Sequence, residues 1–273
     1  MSNVIRLVEA RMAMPPASGR CNVRMGGECN SAQELLLMLG AEPLSMLELA
    51  SLPVLTRRVR AGDALFHEGS AAEALHFVRA GSFKIVRTAE DGYEQVLGFA
   101  DRAEVLGFDA LCTATHPSAA IALEDASVFG LHLRDFFELG EHGASLHRLV
   151  YRAASSALAS RGDLADVMAA VAAEVRLARF LMQLSRRMAE RGQSPRRFHL
   201  RMTRRDIASY LGVAHETVSR SFGVLARLGV VRVDNREVEV MDMAALHAFA
   251  MNTRRPFDEP DPSSVSARRS MRA

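Results

Sequence analysis

The stretch MTRRDIASYLGVAHETVSRSFGVLARLG, residues 202–229, decides how the C-terminal part of the chain folds. Thr203 is a suitable N-cap, and Asp206 three residues later completes a weak capping box. Ile207, Ala208 and Leu211 give the helix that follows an apolar face. Gly212 then supplies the left-handed backbone of a tight turn. A second helix is predicted from near Ala214, with Val218, Phe222 and Leu225 as its buried stripe at i, i+4 and i+7. Glu216, Ser219, Arg220 and Gly223 therefore share the opposite, exposed face. Two short helices joined by a glycine turn make a helix-turn-helix, whose second helix fits the major groove of DNA. Arg220 is equipped to donate two hydrogen bonds to guanine, Glu216 to accept from cytosine, and Ser219 to bond a base or a phosphate. His215 and Thr217 beside them, and Thr203 and Arg204 at the start of the first helix, are further candidate DNA contacts.

Working outward, Val231-Arg232-Val233 and Val238-Glu239-Val240 alternate on either side of Asp234-Asn235, which predicts a hairpin and so a winged helix-turn-helix. The charge agrees. Arg176 to Arg236 holds 14 arginines and only four acids, a net of +10 in a chain whose total is +2. A basic module joined to an acidic remainder is the electrostatic pattern of a nucleic-acid reader with a separate control domain. The alternative is a solvated, arginine-rich helical surface.

Upstream, Val54 to Leu133 carries short apolar runs such as Ala64-Leu65-Phe66 and Leu75-His76-Phe77-Val78, with turn signals about every ten residues. That rhythm predicts short antiparallel strands in a sandwich or barrel. Residues 1–30 read as irregular, and Ser31 to Leu52 as near-helical with a break at Pro43. From Leu146 the period is helical, with Leu149, Val150, Ala153, Ala157, Leu164, Val167, Met168 and Val171 on one stripe. A stripe of this length suits a dimer seam, the alternative being a helix packed on its own domain. The remainder from Asn252 is rich in Pro, Ser and Arg and reads as a disordered tail.

The motifs also resemble a known family. Ser185-Arg186-Arg187, Ser194-Pro195-Arg196, Met202-Thr203-Arg204, Tyr210-Leu211-Gly212 and Glu216-Thr217-Val218-Ser219-Arg220 are similar to the C-terminal domain of CRP/FNR regulators, FNR branch. Leu106-Gly107-Phe108-Asp109-Ala110, His116-Pro117-Ser118 and Ala122-Leu123-Glu124 resemble the FNR sensory β-roll. The resemblance spans about residues 18–250. It implies an α+β chain with a cyclic-nucleotide-binding-like β-roll, a long dimerisation helix and a winged helix-turn-helix. The boundaries expected are 1–52 for an N-terminal segment and helix, 53–137 for the roll, 138–168 for the dimerisation helix, 169–250 for the DNA-binding domain and 251–273 for the tail. It further implies a homodimer on a palindromic TTGAT-type site, with Glu216, Ser219 and Arg220 reading the bases and RNA polymerase as a partner. One departure is Ala214, where the family often has Thr. Loss of that cap hydroxyl costs a helix about 1 kcal/mol.

The family's iron–sulfur members hold a cluster on four cysteines. The chain has three, Cys21, Cys29 and Cys112. Cys21 and Cys29 resemble the second and third of the N-terminal set, with two extra residues between them. Ser18 stands for the first, and Phe129 for the roll cysteine. The expectation is therefore no cofactor, although a three-cysteine site completed by another ligand remains the alternative. Cys112 reads as a buried, inert residue, and Cys21 with Cys29 as a redox thiol pair beside Arg20 and Arg24. Cyclic AMP is not expected, because Pro117-Ser118-Ala119-Ala120 places no arginine where the family holds the phosphate. Three cysteines argue against a disulfide framework and suit a reducing compartment. No apolar run is long enough to span a membrane, and no secretory leader is recognisable, so the expected location is the cytoplasm. No glycine-rich phosphate loop or paired-carboxylate motif points to an enzyme.

Overall fold

The computed structural model describes residues 28–40, 53–111, 113–138 and 144–252; at 28–30, 136–138, 144–150 and 152 it describes the backbone alone. The chain forms two compact units, one ending at Leu158 and one beginning at Ala159.

The first unit opens with helix α1 (Glu28–Met38) and continues through β1 (Val54–Val59), β2 (Ala64–Phe66), β3 (Ala74–Ala80), β4 (Phe83–Thr88), β5 (Glu94–Ala100) and β6 (Val105–Leu106). A short 3-10 turn (Phe108–Ala110) precedes β7 (Ala119–Ala122), β8 (Ala126–His132) and α2 (Leu133–Glu138). Two antiparallel four-stranded sheets result, ordered β1-β8-β3-β6 and β2-β7-β4-β5. Gly81 turns β3 into β4 at φ +86°, where a Cβ would stand 2.6 Å from that of Ala126. Only glycine suits both demands.

The period-2 alternation of β8 explains how the core is shared. Val128 points between the two sheets, into a cluster with Val78, Phe83, Leu106, Ala120 and Ala122. Phe129 and Leu131 point the other way and join Leu75 and Phe77 beneath Ala32, Leu35 and Leu36 of α1. The centre of the sheet, at β8 and β3, is thus buried on both faces, and α1 covers the outer one. The Arg79–Glu34 ion pair, 2.7 Å, ties β3 to that helix.

The long helix α3 (Ala144–Met168) runs to the end of the expected dimerisation segment. Two corrections attach to its apolar stripe. Val171 lies beyond the helix, and Val167 is fully buried within its own unit rather than free for a partner. Tyr151 and Leu158, seven residues apart and so on one helical face, are 73% and 71% exposed. The side chains of Leu146, Leu149 and Val150 lie outside the described residues.

The second unit adds α4 (Ala173–Glu190), β9 (Arg197–His199), α5 (Arg204–Leu211), α6 (His215–Arg227), β10 (Val231–Asp234), β11 (Glu237–Val240) and α7 (Met243–Met251). The wing hairpin turns at Asn235-Arg236 rather than at Asp234-Asn235, and β9 extends it into a three-stranded sheet of order β10-β11-β9. Helical structure begins at Glu28 rather than after residue 30, and Met251 closes α7 rather than opening the tail. The rest of the expected tail, residues 253–273, lies outside the described residues, as do 41–52. Among the described residues no helix is long and apolar enough to cross a membrane.

Candidate nucleic-acid interface

The frame of the reading head is set at the start of α5. Thr203 caps the helix with Oγ1 accepting from the Asp206 amide at 3.1 Å, while Asp206 Oδ2 accepts from the Thr203 amide at 2.8 Å. The reciprocal pair is a full capping box. The Thr203 hydroxyl proton is also committed, since Oγ1 donates to Asp206 Oδ2 at 2.6 Å. A phosphate offers only acceptors, so Thr203 has no free donor for one in this arrangement. Gly212 ends α5 at φ 61°, ψ 41°, the left-handed cap that lets the chain reverse into α6.

Helix α6 is the candidate recognition helix. Val218, Phe222 and Leu225 are buried, together with Ser221, and anchor it. His215, Glu216, Ser219, Arg220 and Gly223 are exposed on the other side, and Thr217 is half-buried. Ala214 is the N-cap, in extended conformation and without a side-chain bond to the helix. The Glu216 carboxyl is held below the usual carboxylate range, first by its own backbone amide, then by His215 3.7 Å away, with Arg220 adding to the effect. Glu216 is therefore ionised and acceptor-only at neutral pH, the state that suits the amino group of cytosine.

Arg204 sits where sequence reasoning expects a DNA contact, yet it faces inward. Its guanidinium carbon lies 3.7 Å from the Phe222 ring centroid, and Nη2 donates to the Asn235 carbonyl at 2.9 Å. Burial pulls its pKa below the ordinary arginine value.

Arginine count overstated the DNA-facing charge. Arg176 donates to the carbonyls of Ala170 (2.8 Å) and Leu211 (3.0 Å). Arg179 donates to those of Ala250 (2.8 Å) and Asn252 (3.1 Å), and also to Asp166. These are carbonyls at or just beyond helix C-termini, which lack intrahelical partners. Arg197 and Arg232 pair with Glu239 at 2.6 and 3.1 Å on the wing sheet. Arg196, Arg205, Arg220, Arg227 and Arg236 are exposed. Nothing in a one-dimensional count separates these roles, because the carbonyls that Arg176 and Arg179 satisfy are as far as 73 residues away in sequence.

The residues do not fit a four-cysteine iron–sulfur cluster. Phe129, in the place of the roll cysteine, is a fully buried hydrocarbon ring under α1, and carbon cannot ligate iron. Cys21 and Cys112 lie outside the described residues, and Cys29 is on α1 with its side chain outside them. In the segment expected to hold a cyclic-nucleotide phosphate, Ser118 is buried and its hydroxyl donates to Asp109 Oδ2 at 3.4 Å. The Asp109 carboxylate and the Arg87 guanidinium, which donates to the Pro117 carbonyl at 3.3 Å, thus both reach this segment.

Comparison with known proteins fits this geometry. A cyclic nucleotide-binding domain profile matches residues 56–142, and a Crp-like helix-turn-helix domain profile matches residues 175–249. The chain is similar to the fumarate and nitrate reduction regulatory protein of Salmonella typhimurium, 36% identical over 196 residues, which are 72% of this chain and 78% of that protein. The protein of the same name from Escherichia coli K12 is 35% identical over the same shares. Among solved structures, FixK2 from Bradyrhizobium japonicum superposes with a TM-score of 0.66 at 24% identity, covering 73% of this chain and 98% of that one. A CooA mutant from Carboxydothermus hydrogenoformans gives 0.62 at 20% identity, covering 79% and 95%. These last two bear on the fold alone.

Proposed function

Because the chain belongs to the CRP/FNR family of DNA-binding transcription regulators, we propose that it binds a palindromic site with TTGAT-like half-sites as a cytoplasmic homodimer. From there it contacts RNA polymerase to alter transcription in redox or oxygen-limitation control. The observation that carries the reading is the exposed row Glu216, Ser219 and Arg220 on a helix anchored by Val218, Phe222 and Leu225. An ionised acceptor and a bidentate donor one turn apart suit adjacent cytosine and guanine positions in the major groove. The exposed Tyr151 and Leu158 on α3 support the two-fold assembly, since a seam of this kind matches protein symmetry to operator symmetry. DNA binding proceeds without an iron–sulfur cluster and without cyclic AMP, and any redox input acts through the thiols of Cys21 and Cys29. The role is binding rather than turnover.

The test is binding-site selection with the wild-type chain and Arg220→Ala. The expected outcome is an inverted repeat for the wild type. In the variant, specific binding weakens by about 1–3 kcal/mol and preference relaxes at one guanine per half-site. An unchanged preference removes Arg220 from base reading.

A further inference from the structure

The geometry points to Arg204 as a positioning residue that clamps the wing to the recognition helix, not as a ligand of the DNA backbone. Three elements meet at its guanidinium. Arg204 is the first residue of α5. Its guanidinium carbon lies over the Phe222 ring, 3.7 Å from the centroid, on the buried side of α6 opposite Glu216, Ser219 and Arg220. Its Nη2 donates to Asn235 at the wing turn at 2.9 Å. Its Nη1 is buried without a hydrogen-bond partner, so that nitrogen is enclosed rather than offered to a phosphate.

Two features of the partners favour this role. Asn235 has φ +50°, a left-handed conformation that asparagine tolerates better than most residues. That conformation turns the carbonyl that accepts from Arg204 toward α5. The wing strands β10 and β11 have four residues each, and their ladder fixes them to one another and to β9. The ladder does not fix the turn to α6, and Arg204 supplies that link. Lysine cannot replace it, because only a planar guanidinium stacks on a ring while donating sideways. The wing and the base-reading face are thereby held at one spacing, which matters where both must meet a single groove.

The inference rests on the DNA-reading role proposed above, and the experiment separates the two. Full-length wild type, Arg204→Lys, Arg204→Ala and Arg205→Ala are compared, Arg205 being the exposed neighbour. Without DNA, hydrogen exchange is followed at the amides of residues 234–237. With a selected inverted-repeat site and with unrelated duplex, affinity is followed against salt. Expected for both Arg204 variants is faster exchange at the wing turn and a specific affinity reduced about tenfold, with the salt slope unchanged. Removing a phosphate ligand instead lowers the log–log slope by about 0.9 for each phosphate no longer neutralised, the result expected of Arg205→Ala. Phe222→Leu is the second variant, since it removes the ring while keeping the charge and an apolar side chain; it too should speed exchange at the wing turn. The clamp is overturned if Arg204→Lys restores wild-type affinity, if the Arg204 variants lower the salt slope, or if wing exchange is unaltered in both Arg204→Ala and Phe222→Leu. The exchange readout needs no DNA, so a failure of the proposed half-site would leave it intact.

Discussion

Phe129→Cys restores the one thiol that the β-roll lacks by resemblance to cluster-binding relatives, and it is expected to loosen the N-terminal helix instead of building a cluster. Phe129 is fully buried on the central strand β8, opposite Thr56 on β1 and Phe77 on β3. Its ring packs in one cluster with Ala32, Leu35 and Leu36 of α1. Truncating a buried phenylalanine to alanine costs roughly 3–5 kcal/mol, and a cysteine keeps one more heavy atom than alanine, so the lower figure of about 3 applies. The Arg79 guanidinium stands 5.5 Å from the same ring but is exposed, so this contact adds no more than about 0.5 kcal/mol. About 3 kcal/mol corresponds to roughly a hundredfold change in a local opening equilibrium. Hydrogen exchange of the α1 amides, measured anaerobically to keep the thiols reduced, should therefore accelerate by about that factor. Exchange in α5 and α6 should not change. Iron and sulfide assays on the same samples should stay at background. Unaltered α1 exchange together with stoichiometric iron and sulfide in F129C would refute the reasoning, because position 129 would then be a ligand site rather than part of the core.

Three further outcomes follow from side-chain placement. His76 has its pKa lowered to about 4, mainly by burial, with Arg57, His116 and His132 adding to it, while burial also lowers His116 against the opposing pull of Asp109. His76 therefore stays neutral in the fold down to about pH 4 but protonates near 6.5 when unfolded, and His116 is shifted in the same direction, so the roll should lose stability as pH falls from about 6.5 toward 4. The His76 share is at most about 3 kcal/mol. Melting of the roll against pH, compared with His76→Gln, checks this, and equal slopes in the two proteins would contradict it. On α3, Leu158→Asp should give folded monomers in sedimentation. Val167→Asp should instead unfold the second unit, because Val167 is buried within it. An intact dimer in Leu158→Asp would place the interface elsewhere.

The reading head was legible in the sequence because its rules are local. A capping box needs residues three apart, a helical stripe needs i, i+4 and i+7, and the left-handed turn needs one glycine at 212. The face bearing Glu216, Ser219 and Arg220 follows from those intervals alone, and so does the strand rhythm of the roll. Helix α7 also carried a local sign, the Asp242 N-cap that accepts from the Ala245 amide at 2.9 Å. Asn235-Arg236 shows the usual one-residue slip of a boundary set by hairpin register. What only the tertiary structure decided depends on contacts between distant residues. Arg204 and Arg220 are the same residue type on neighbouring helices, yet one is folded under Phe222 and Asn235 while the other faces solvent. Val167 and Leu158 both belong to an apolar helix, but packing within the second unit buries the first and leaves the second exposed. Phe129 reads in sequence as a missing ligand; in the fold it is the floor on which α1 rests. Each of these roles is set by which surfaces meet across tens of residues, and periodicity along the chain carries no information about that.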